Sequence, residues 1–137
     1  VSDRVVKSTA ADMIGSMTPQ MGADRYVFAS VSDPDQRAAL LPMALATIEE
    51  EEGLSLLLSV TVAERAGLPT ARQMARITLQ VYSDLEGVGL TAAVAKALAD
   101  RDIACNMVAG YHHDHAFVPA EKADTALAIL KDLQASA

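Results

Sequence analysis

Cysteine, aromatic residues and positive charge are all scarce in this chain. A single cysteine, Cys105, cannot form an internal disulfide, which fits a reducing compartment. Tryptophan is absent, and three tyrosines and two phenylalanines are the only phenyl rings. Eleven lysines and arginines stand against eighteen aspartates and glutamates, a formal net charge of −7. Such a surface repels phosphate backbones and anionic lipids, so neither nucleic acid nor membrane is an expected partner. No run of 18 apolar residues could span a bilayer. Val1 to Gly15 lacks the contiguous apolar stretch of a signal peptide, and a cytoplasmic location is expected.

Catalytic signatures are missing as well. The chain has no GxSxG, P-loop, GxGxxG, HExxH or kinase motif, so no enzyme and no cofactor are expected. Hydrophobic residues, by contrast, make up 51% of the 137 positions, enough for a core without a structural metal.

Apolar periodicity divides the chain into elements. Val6, Ala10, Met13, Ile14 and Met17 recur at helical spacing and predict a helix over 3–17, stopped by the stretch 18–22. Residues 25–31 read as a strand, followed by a turn at 32–35 and one helical turn over 36–41 that Pro42 interrupts. Segments 43–49 and 54–60 read as a hairpin around the acidic turn Glu50-Glu51-Glu52-Gly53, and 61–67 as a short helix ending at Gly67. In 76–82, Ile77, Leu79 and Val81 alternate onto one strand face. A loop over 83–89 leads to an amphipathic helix over 90–102, with Leu90, Val94, Ala97 and Leu98 inward. Strands over 104–110 and 115–118 follow. Pro119 opens a last helix with Ala123, Ala126, Leu127, Leu130 and Leu133 as its stripe.

The order from Arg76 is β-α-β-β-α, and the first half gives β, a turn or short helix, β, β, α. The expected class is therefore α+β, with two βαββα-like lobes whose antiparallel sheets are packed by helices. The expected division is an N-terminal helical segment 1–21, a lobe 22–70 and a lobe 71–137.

Three stretches carry a family resemblance. They are Asp84-Leu85-Glu86-Gly87-Val88-Gly89-Leu90-Thr91-Ala92-Ala93-Val94, then Asp102-Ile103-Ala104-Cys105-Asn106-Met107, then Tyr111 to Val118. In that order of loop, helix, strand and hairpin the chain resembles an ACT domain, a ferredoxin-like fold. It is similar to aspartate kinase regulatory domains, to short bacterial stand-alone tandem-ACT proteins and to the arginine sensors of animals. The resemblance covers 22–133 and is specific over 76–133. It implies a regulatory module that binds a small molecule, an amino acid above all, with Asp84 to Thr91 and Cys105 to Met107 supplying contacts. A homodimer is compatible with it. The first lobe's degenerate helix and the lack of an attached catalytic domain depart from the larger family members.

The residues allow the same chemistry and a blander one. Gly87 and Gly89 let the backbone approach a guest, and the helix start at Val88 to Thr91 favours a carboxylate. Asp84 and Glu86 could hold an ammonium group. The alternative is a plain strand-to-helix turn with Asp84 or Glu86 as a cap. Asn106 is unusual in a strand, and if buried its amide needs partners, which a ligand or neighbouring backbone could supply. Cys105 reads as a packing residue rather than a nucleophile. His112, His113, Asp114 and His115 invite a metal reading. Alternation places only two of them on a face, too few for a closed zinc site, and a polar hairpin tip is the simpler reading. A pure assembly module without ligand is the remaining alternative.

Overall fold

A computed structural model describes residues 6–7, 9–83 and 85–137. The chain forms two compact units, one of residues 24–74 and the other of the residues up to Ala23 together with 75–137.

The unit 24–74 is built from the later part of strand β2 (Pro19–Val31), helix α2 (Pro34–Leu40), a 3-10 turn (Leu41–Met43), β3 (Ala46–Glu50), β4 (Gly53–Ser59) and α3 (Val60–Arg65). Its strands lie in the order β3-β4-β2. Both pairings are antiparallel, with Val27 opposite Leu58, Val31 opposite Leu54 and Ala46 opposite Leu57. Period-two alternation sends Val27, Val31, Leu54, Leu56 and Leu58 into one cluster with Leu40 and Ala63 of the helices. The hairpin and its acidic turn are as expected, although β3 starts at Ala46, after the Pro42 turn has released the chain. The helix expected over 36–41 begins earlier. Asp33 caps it by accepting from the Gln36 amide at 3.0 Å, and Pro34 occupies its first position, where no N–H is needed.

The other unit contains β1 (Val6–Lys7), α1 (Ala10–Ser16), the first residues of β2, β5 (Met74–Leu79), β6 (Tyr82–Ser83), α4 (Leu90–Ala99), β7 (Asn106–Ala109), β8 (Asp114–Pro119), a 3-10 turn (Ala120–Lys122) and α5 (Ala123–Ala135). β2, β5, β8 and β7 are neighbours in that order. β1 and β6 form a separate parallel pair, Val6 beside Tyr82 and Lys7 beside Ser83. Ile77 and Leu79 of β5, Leu90, Val94 and Leu98 of α4, and Ala126 and Leu130 of α5 share one core with Met13 of α1 and Met17 at its C-cap. Each such side chain contributes about 1.5–3 kcal/mol by leaving water.

Three expectations are corrected here. The N-terminal helix is shorter: Thr9 caps it by accepting from the Asp12 amide at 3.2 Å, Val6–Lys7 are extended instead, and residues 3–5 and 8 lie outside the described residues. The stretch 18–22 does not stay a stop but opens β2, because a proline is tolerated as the first residue of a strand. Helix α4 ends at Ala99 rather than 102. The Ile103 amide donates to the Leu98 carbonyl and the Asp102 amide to that of Ala99, both at 3.0 Å, a Schellman closure with Asp102 in the left-handed region at φ 58°. Among the described residues no helix is long and apolar enough to cross a membrane.

Candidate functional site

The loop before α4 owes its path to the way β5 ends. The Val81 amide turns back onto the Leu79 carbonyl at 2.8 Å, which breaks the ladder, and the Gln80 amide reaches the Thr18 carbonyl at 3.3 Å. The chain then extends again at Tyr82–Ser83 and turns through Leu85 and Glu86. Gly89 is the N-cap of α4, at φ 115° and ψ −22°, and has no side chain with which to cap the helix. Leu85 and Val88 are exposed at 67% and 82% while Leu90 is buried. Glu86 and Thr91 are exposed, and Gly87 is half-buried. Asp84 lies outside the described residues.

The second predicted stretch starts β7. Cys105 is half-buried, and burial pushes its thiol above the usual cysteine value, so it stays protonated. Met107 packs against the core. Asn106 is exposed, so its amide has access to water and the condition of burial is not met. Close by, Ala99, Asp102, Ile103, Ala104, Pro119 and Lys122 line an open groove of about 360 Å³, with the Lys122 ammonium donating to the Asp102 carbonyl at 3.0 Å.

Within this unit the two stretches sit at opposite ends. Thr78 Oγ1 meets His115 Nδ1 and the Val81 carbonyl meets His113 Nδ1, each at 3.0 Å, so β8 runs opposite to β5. β7 runs opposite to β8, with Asn106 facing Phe117 and Ala109 facing Asp114. β5 and β7 therefore point the same way. Asn106 lies level with the start of β5, and the hairpin tip 110–113 lies where β5 leaves for the loop. Three strand residues, about 10 Å, separate Asn106 from that end.

What accompanies the loop is a group of rings that sequence reading missed. The Tyr82 ring lies 5.7 Å from that of His112 and 4.8 Å from that of His113. Tyr111 meets His112 edge to face at 5.0 Å. His113 falls in the turn rather than in a strand, and Asp114 is buried instead of sharing an outer face with His112. His115 is held below the ordinary histidine value by burial first, then by the Arg76 charge and by His113. Among the described residues no three His, Cys, Asp or Glu side chains are arranged to hold a metal ion.

Two units, each with the strand and helix order βαββα and with helices laid on an antiparallel sheet, define a tandem ferredoxin-like α+β protein. Residues 9–75 and residues 75–132 each match a model of the ACT domain, and the chain belongs to the ACT domain family. ACT domains are typically regulatory modules that bind small molecules. Among solved structures, a Vibrio cholerae protein of unknown function, described as a possible transport protein, is 41% identical. That match covers 90% of this chain and 94% of the other, with a TM-score of 0.80. The ligand-free regulatory subunit of aspartate kinase from Thermus thermophilus shares the fold at 12% identity and a TM-score of 0.63, over 86% of this chain and 97% of that one. E. coli aspartokinase III, in complex with aspartate and ADP, aligns at 12% identity and 0.58, over 84% of this chain and 32% of its own. No curated protein matches the chain.

Proposed function

We propose that this chain is a non-catalytic regulatory module that binds an amino acid at the turn and helix start formed by residues 85–91. The observation that carries the reading is the start of α4. Gly89, the N-cap of ten helical residues, has no side chain to cap them, so the amides of the first turn and the positive end of the helix are suited to a carboxylate. Glu86, exposed in the same turn, has the charge to receive the ammonium group. The family match supports a regulatory role for such a site. Since Cys105, Asn106 and Met107 begin at the far end of β7, the proposed site is confined to the loop.

The test is a thermal-shift screen of the full chain against the twenty amino acids, followed by calorimetry. A ligand at a hundred times its dissociation constant adds about 2.7 kcal/mol to the unfolding free energy. Glu86→Gln should weaken that ligand about tenfold or more. No shift with any amino acid at millimolar concentration overturns the proposal.

A second reading, an assembly module, is favoured by one feature of the unit 24–74. Leu41, Met43, Leu45 and Ile48 are 45–68% exposed, and they lead into β3, which ends its row of strands. Exposed apolar side chains that lead into an edge strand invite pairing with another chain. Sedimentation over a dilution series, with Ile48→Lys as the control, separates this reading from a ligand sensor.

A further inference from the structure

We infer that the side chain of the bound amino acid is a flat ring, received by Tyr111 and His112 at the hairpin tip; this rests on the loop reading proposed above. The chain holds three tyrosines, two phenylalanines and three histidines. Five of these eight rings, Tyr82, Tyr111, His112, His113 and His115, lie within residues 111–115 and in the strand that leads into the loop. Four of them touch in series, Tyr111 to His112, His112 to Tyr82, and Tyr82 to His113.

The inner members are fixed. A carbonyl can only accept, so the contact of His113 with the Val81 carbonyl places the proton on Nδ1 and orients the ring. The Gly110 amide donates to the His113 carbonyl at 2.8 Å and closes the turn, and a Cβ at Gly110 would come within 2.9 Å of that oxygen. Upon this fixed base, Tyr111 is 79% exposed. A tyrosine set edge to face against His112 with most of its surface open is a surface another ring can stack on, and such pairs gain beyond the area they bury.

The apolar surroundings agree. Of the eight large hydrophobic side chains exposed among the described residues, Leu85, Val88 and Tyr111 belong to the loop and the tip. Leu85 follows Tyr82 by three residues, at most about 11 Å of chain, so the ring group and the turn border each other. A guest whose carboxylate and ammonium engage the turn has apolar surface and open rings beside it for its own side chain.

The experiment is calorimetric titration of the full chain with L-phenylalanine, L-tyrosine, L-tryptophan and L-histidine against L-leucine and L-methionine, repeated on Tyr111→Leu and Glu86→Gln. The exposure of Tyr111 lets its substitution leave the core intact, which circular dichroism checks. The ring-bearing amino acids should bind about threefold to tenfold tighter than the aliphatic pair, and Tyr111→Leu should equalise the two groups. Equal or tighter aliphatic binding that Glu86→Gln still weakens overturns the ring inference and leaves the loop reading standing. Binding of neither group overturns the ring inference, and the loop reading falls with it only if the remaining amino acids also give no shift.

Discussion

Gly89 faces Ala10 so closely that a methyl group added to the glycine would stand 2.7 Å from the alanine Cβ. The start of α4 and the start of α1 are thereby matched to one another, and the positive φ of Gly89 is part of the match. Gly89→Ala meets both a left-handed backbone and this overlap, and should cost about 1–3 kcal/mol. Adding Ala10→Gly removes the overlap and leaves the backbone strain. Chemical denaturation of the two single variants and the double variant should show a favourable coupling of about 0.5 kcal/mol or more.

Asp102 occupies the left-handed position that closes α4, where glycine is the usual residue. Asp102→Gly should therefore stabilise the protein by about 0.5–1 kcal/mol, read as a higher midpoint in urea. A lower midpoint would mean that the aspartate side chain contributes more than the strain costs.

His115 is held below the ordinary histidine value, chiefly by burial. Its neutral form is favoured in the folded state, so the unfolded chain takes up a proton first as pH falls. Stability is complete above pH about 6.5 and declines as pH drops through the unfolded value toward the folded one. Unfolding free energies measured between pH 7.5 and 5 should fall less steeply for His115→Gln than for the parent chain. Parallel curves would remove His115 as a source.

Leu130 is fully buried among α1, α4 and the sheet. Leu130→Ala should cost about 2–5 kcal/mol by transfer and cavity together. Calorimetric melting checks it, and a loss under 1 kcal/mol would mean the helices close the gap.

Reaction of Cys105 with a maleimide should be slower in the folded protein than in urea, because burial both raises the thiol and restricts approach. Equal rates would show the thiol to be freely accessible.

Much of the fold was legible because it is written at short range. Leu90, Val94 and Leu98 repeat at helical spacing and are buried as a set, and Ile77 and Leu79 alternate as a strand should. Elements made by distant pairing were not. Val6–Lys7 carry no local pattern of a strand and become one only beside Tyr82–Ser83. Pro19 and Gly22 look like a terminus, yet a strand passes through both, Gly22 running against the Arg76 carbonyl. The end of α4 was overrun because Asp102 takes the place where a glycine would have signalled it. For the candidate site, the glycines of the loop were visible in the letters. The rings were not, since Tyr82 and His112 meet only through the neighbouring course of β5 and β8.

Met13 and Met17 share their cluster with Leu130, near the other terminus, whereas the unit 24–74 is one uninterrupted stretch. On the ribosome, the middle segment has everything it needs for its own cluster before the last helix is even made. Met13 and Met17 must wait for residues beyond 75, and their cover is complete only once α5 has emerged. The early segment is thus the part of the nascent protein most in need of protection, and removal of α5 would leave one side of its cluster open for good.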